Sequence, residues 1–95
     1  MADVLRALSD PTRREVLRLL RRRELSAGEI AERFPLARST LSEHLAVLRE
    51  AGLVVSERHG TSIRYSLHLA AVEEALAGVM DLLGVGDARK GRSRR

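Results

Sequence analysis

Apolar residues in this chain follow a helical period as far as about Gly52 and a period of two beyond it. That switch constrains the fold more than any other feature. A stripe repeating every ~3.6 residues and one that alternates cannot share the same kind of backbone. Before the switch, Leu41, Leu45 and Leu48 recur at i, i+4 and i+7, and Gly52 stands where a glycine closes a helix. After it, Leu53 and Val55, then Ile63, Tyr65 and Leu67, alternate with polar or smaller residues, with His59-Gly60 between the runs as a turn. Short helices followed by a two-stranded hairpin are therefore expected.

The helical part divides at its punctuation. Val4, Leu5 and Leu8 make a short first stripe, and Ser9-Asp10-Pro11 stops it and restarts the chain. Asp10 suits an N-cap and Pro11 a first turn, where its missing N–H would be unpaired anyway. Val16, Leu17, Leu19 and Leu20 bury the second helix, and Arg13, Arg14, Arg18, Arg21, Arg22 and Arg23 fill its other side. Ser26-Ala27-Gly28-Glu29 reads as a capping box opening a short third helix with Ile30, Ala31 and Phe34 inward, ended by Pro35. The Leu41–Leu48 stripe forms a fourth helix about three residues later. A last helix, from about Leu69 to Leu83, carries Val72, Leu76, Val79, Met80 and Leu83 on one face and ends at Gly84 and Gly86. The order α-α-α-α-β-β-α is mainly α with a two-stranded β-wing, a winged helix-turn-helix.

Ninety-five residues make one small domain, 1–86, followed by a tail, 87–95. The net charge of +4 sits in that tail: residues 1–86 hold 12 Arg and 12 acids, whereas Arg89, Lys90, Arg92, Arg94 and Arg95 face Asp87 alone. The tail reads as a solvated end, with an arm adding phosphate contacts as the functional alternative. Cysteine is absent, which removes disulfides, thiolate metal sites and cysteine nucleophiles. With Phe34 and Tyr65 the only aromatics, stacking on single-stranded bases is a poor mechanism. No apolar run approaches the ~18 residues of a membrane span and no signal peptide opens the chain, so the expected location is the cytoplasm.

With Leu41, Leu45 and Leu48 inward, the fourth helix presents Arg38, Ser39, Thr40, Ser42, Glu43 and His44. Short hydrogen-bonding residues at a helix N-terminus suit base edges of double-stranded DNA, and the free N–H groups there suit phosphate. Arg38, the one long cation on that face, is the candidate for guanine or phosphate. His44 divides between DNA contact and a hydrogen-bonded packing residue. Arg58 and His59 at the hairpin tip, Arg64 on the return strand and Arg13 complete the candidate DNA-binding set. Singly, each such residue is most often just a solvated side chain. Glu43 repels phosphate unless it accepts from cytosine N4, and so favours a competing reading, a winged helix that binds protein. No Gly-rich phosphate loop, metal-ligand cluster or nucleophile–base pair is visible, so no enzyme and no cofactor are expected.

The segments ALSDPTRREVLRLL, ELSAGEIAERF, STLSEHLAVLREAGLV and IRYSL resemble, in that order, the ArsR family of bacterial winged-helix repressors over about residues 3–83. AGEIA resembles the SdpR-like branch. The resemblance implies a homodimer that represses from an inverted-repeat operator, often its own. The stripes Val4, Leu5 and Leu8, and Val72, Leu76, Val79, Met80 and Leu83, agree with this, because one thin monomer core could hardly cover both. Many members sense metals. The family's cysteine pair would fall at Ser26 and Gly28, and its second ligand set at Leu69, Ala71 and Leu82, so neither set is present. Three triggers stay open: a small molecule at the dimer interface, a protein inducer, or none. Ala37 stands where the family often has a capping Ser, and Ser39 is the residue available to take over that cap.

Overall fold

A computed structural model of the chain describes residues 2–85. Helix α1 (Ala2–Leu8) leads to α2 (Pro11–Leu20), strand β1 (Leu25–Ser26), α3 (Ala27–Ala31), α4 (Arg38–Glu50), the hairpin β2 (Val54–His59) and β3 (Ser62–Leu67), and α5 (Leu69–Leu83). Asp10 caps α2, its carboxylate accepting from the Thr12 and Arg13 N–H groups at 2.8 and 3.1 Å, with Pro11 in the first turn. The capping box of α3 is reciprocal: Ser26 Oγ accepts from Glu29 N–H at 3.0 Å, and Glu29 Oε1 accepts from Ser26 N–H at 2.8 Å.

The core is one cluster. Val16 and Leu20 of α2, Ile30 of α3, and Leu41, Leu45 and Leu48 of α4 meet Leu25, Leu53, Val54 and Tyr65 of the sheet side and Ala7 of α1. Helix α4 ends in a Schellman motif. Leu53 N–H donates to Leu48 O at 3.1 Å and Gly52 N–H to Arg49 O at 2.9 Å, with Gly52 at φ 80°. The two buried leucines at its ends, Leu48 and Leu53, complete that motif hydrophobically and fix where the chain turns into the wing.

Several elements differ from the sequence expectation. The sheet has three strands in the order β1-β3-β2, because Leu25 and Ser26 pair with Tyr65 and Arg64. Two residues are too few to show a period. In β2 it is Val54 that is buried, while Val55 is 44% exposed. Leu53 belongs to the helix-closing turn, so the pleat starts its count one residue later. The hairpin loop is Gly60-Thr61 rather than His59-Gly60, since His59 still pairs with Ser62. Gly60, at φ 63°, supplies the one positive angle of a type II′ turn. Helix α3 stops at Ala31, short of Pro35. Its end tightens through Arg33 N–H to Ile30 O at 3.0 Å, which leaves Phe34 half-buried in the connection. Ala37 is the N-cap of α4 with no side-chain bond, and Ser39 does not replace it, because Ser39 already lies within the helix.

Helix α5 runs 15 residues and buries none of them. Val4 and Val72 pack on the core, whereas Leu5, Leu8, Leu76 and Leu83 are exposed, and Val79 and Met80 are half-buried. An apolar groove of about 380 Å³ runs between α1, α2 and α5, lined by Val4, Leu5, Leu8, Leu17, Leu76 and Val79 among others. No described helix is long and apolar enough to cross a membrane. Gly86 and the 87–95 tail lie outside the described residues.

Candidate nucleic-acid interface

Helices α3 and α4 form the helix-turn-helix. The capping box fixes where α3 starts, Ile30 seats it in the core, and the Leu41–Leu45–Leu48 stripe seats α4 beside it. The other side of α4 is thereby turned outward. Arg38, Ser39, Ser42 and Glu43 are exposed and share one stripe over the first two turns, and Thr40 is half-buried on its flank. Among the described residues, no hydrogen bond or ion pair engages these five side chains. The uncapped N-terminus at Ala37 leaves the first N–H groups of α4 free of side-chain partners.

Arg13 and His44 lie elsewhere than on that stripe. The Arg13 guanidinium donates from Nε to Ala7 O and from Nη2 to Arg6 O, both at 2.8 Å, and from Nη1 to His44 Nδ1 at 3.1 Å. The His44 side chain is only 17% exposed, and its Nε2 faces Asp10 Oδ2 at 3.8 Å. Both are occupied inside a junction of α1, α2 and α4. Of this junction only the packing alternative for His44 is legible in the sequence; Arg13 as its partner is not, and Asp10 reads only as a cap.

The wing also departs from a single cationic tip. Period two places Arg58 on the side of Ile63 and Tyr65, opposite His59 and Arg64. Arg58 is exposed, while His59 Nε2 meets Glu57 Oε1 at 3.0 Å. Arg64 is tied inward: its Nε donates to Glu24 Oε1 at 2.8 Å, and its Nη2 lies 4.0 Å from Glu29 Oε1. This pairing straps the root of the wing to β1 and the start of α3. Neither Glu24 nor the dual use of Glu29 carried any local sequence signal.

Two carboxyls are shifted. Partial burial pulls Asp10 upward, but the Arg13 N–H, the His44 ring, the Thr12 N–H and the Arg13 charge outweigh it and hold the group below its ordinary value. The Ser26 backbone N–H lowers Glu29 against a smaller burial effect, helped by Arg23, the Ser26 hydroxyl and Arg64. A lowered carboxyl pKa stabilises the fold above the unfolded value of about 4, and this stabilisation is lost as pH falls through the folded value. The melting temperature should therefore drop below about pH 4. The Asp10→Asn/Glu29→Gln double variant keeps both caps but cannot titrate them, so it should show a shallower drop. Thermal unfolding between pH 2 and 5 checks this, and equal slopes would remove the assignment.

A winged helix-turn-helix whose second helix offers an unpaired polar face is the architecture of a DNA-binding transcriptional regulator. A family model described as a helix-turn-helix domain matches residues 8–57. The chain is 36% identical over 87 residues to the transcriptional repressor SdpR of Bacillus subtilis (strain 168), covering 92% of this chain and 97% of that protein. To the transcriptional activator HlyU of Vibrio cholerae it is 37% identical over 70 residues, 74% of this chain and 65% of that protein's length. An ArsR-like transcriptional regulator from Rhodococcus sp. RHA1 superposes with a TM-score of 0.79 at 34% identity, covering 98% of this chain and 85% of that one. The chain belongs to the ArsR family of winged-helix DNA-binding transcriptional regulators, and is not an enzyme.

Proposed function

We propose that two copies of this chain bind an inverted-repeat operator as a repressor, each inserting the N-terminal half of α4 into the major groove. The carrying observation is the exposed stripe of Arg38, Ser39, Ser42 and Glu43, left without intramolecular partners at the end of a helix seated from behind. Thr40 flanks this stripe, and Arg58 reaches the backbone beside it. Arg64, Arg13 and His44 are tied inward and support these elements, and His59 stays beside Arg58 on the exposed wing, paired with Glu57. Repression rather than activation rests on the likeness to SdpR along nearly its whole length. The apolar faces of α1 and α5 seat the second copy. The regulator works in the cytoplasm with no cofactor and no metal of its own, since Ser26, Gly28, Leu69, Ala71 and Leu82 supply no thiolate, imidazole or carboxylate. Whether a small molecule or a protein releases it is a separate question from DNA binding.

Fluorescence anisotropy on the duplex upstream of its own gene, against a shuffled duplex, in chelator and with salt varied, tests the reading. Tight, selective binding that weakens steeply with salt is expected, because each neutralised phosphate contributes about −0.9 to the log–log slope. Absence of binding at low salt would overturn it in favour of a protein-binding winged helix, the reading that the exposed Glu43 favours. In the same assay Arg38→Ala should cost about 1–3 kcal/mol on the operator and little on the shuffled duplex. An equal loss on both would reassign Arg38 to phosphate.

A further inference from the structure

We infer that Arg13 is a positioning residue that clamps the end of α1 to the reading helix α4 through His44. The inference rests on the DNA-binding reading above. A helix ends with carbonyls that lack intrahelical donors. At the end of α1, Arg6 O and Ala7 O each accept from the Arg13 guanidinium at 2.8 Å. The third donor of the same planar fork reaches His44 Nδ1, 31 residues along the chain. Arginine has no acceptor, so His44 Nδ1 must offer its lone pair, and the ring proton then sits on Nε2. That Nε2 faces Asp10, whose carboxylate is already fixed by capping α2. The ring is thus held in one tautomer through Nδ1 by a guanidinium anchored on the end of α1, with its Nε2 edge turned toward Asp10 at 3.8 Å, longer than a hydrogen bond.

The geometry has a functional consequence because His44 follows directly on Ser42 and Glu43 of the exposed stripe. Helix α1 carries part of the apolar face that seats the second copy, and α4 carries the reading face. A rigid fork between them fixes the placement of one relative to the other, and two reading helices must match half-sites about one DNA turn apart. Arg13 acts on recognition without touching DNA, and so contributes to selectivity rather than to charge neutralisation.

The experiment compares Arg13→Gln, His44→Leu and His44→Asn with the unsubstituted protein. Affinity for the operator and the shuffled duplex is read across a salt series, and the His44 ring tautomer is read by nitrogen NMR without DNA. Arg13→Gln and His44→Leu should weaken operator binding roughly three- to thirtyfold, with the salt slope and the shuffled-duplex affinity unchanged. His44→Asn keeps an acceptor near the Nδ1 position and should restore most of the affinity. The Nε2–H tautomer should dominate in the unsubstituted protein and give way to a mixture in Arg13→Gln. A salt slope reduced by about 0.9 in Arg13→Gln, with equal loss on both duplexes, would make Arg13 a phosphate contact and overturn the inference. Unchanged operator affinity in a folded Arg13→Gln would overturn it too. If the unsubstituted protein binds neither duplex, the DNA reading fails; the tautomer then decides the clamp alone, and a ring that does not respond to Arg13→Gln overturns it.

Discussion

The Leu5→Glu/Leu76→Glu double variant is expected to be a folded monomer that has lost operator binding. Both side chains line the apolar groove between α1, α2 and α5, and they are 49% and 57% exposed in the single chain, so neither substitution opens the core. Across a two-fold contact, however, each glutamate would have to be buried without a partner, which costs several kcal/mol per charge. Losing the second copy removes the linkage between half-sites, worth about 10²–10⁴ in affinity. Light scattering should show half the mass of the unsubstituted protein, circular dichroism should be unchanged, and anisotropy should leave only the weak affinity shared with the shuffled duplex. Should the unsubstituted protein itself run as a monomer while binding its operator tightly, the two-copy reading would be lost.

Leu48→Ala should have the largest effect on stability. Leu48 is fully buried and its side chain seats α4 in the core, while its backbone carbonyl, which accepts the Leu53 N–H, is kept in the variant. Removing such a side chain leaves a cavity and costs about 2–5 kcal/mol, out of a total of about 5–15 for a domain of this kind. At about 4–8 °C per kcal/mol for a small domain, the melting temperature should fall by at least ~8 °C. The loss also falls between the reading helix and the wing, so DNA binding near that lowered temperature should disappear together with the fold. Calorimetry decides it, and a shift of less than a few degrees would mean that the burial of Leu48 contributes little to holding α4.

Much of the site is legible in the sequence. The capping box at Ser26 and Glu29, the Asp10 cap, the leucine stripe and its exposed reverse face all depend on spacings of four residues or fewer along one helix. The apolar α1 and α5 stripes were legible for the same reason. What failed were phases and ends. Val54 replaced Val55 because a helix-closing turn consumed Leu53, and α3 stopped before its proline because its last turn tightened.

The sequence by itself thus determined the helix-turn-helix, the wing and the outward stripe of α4. Only the tertiary structure decided which polar residues remain free to act. Arg13 reaches His44 across 31 residues, and Arg64 reaches Glu24 across 40. Such pairings depend on how helices and strands lie against one another once the core has packed. An arginine therefore looks the same in the sequence whether it will face solvent, as Arg38 does, or be tied to a helix end, as Arg13 is.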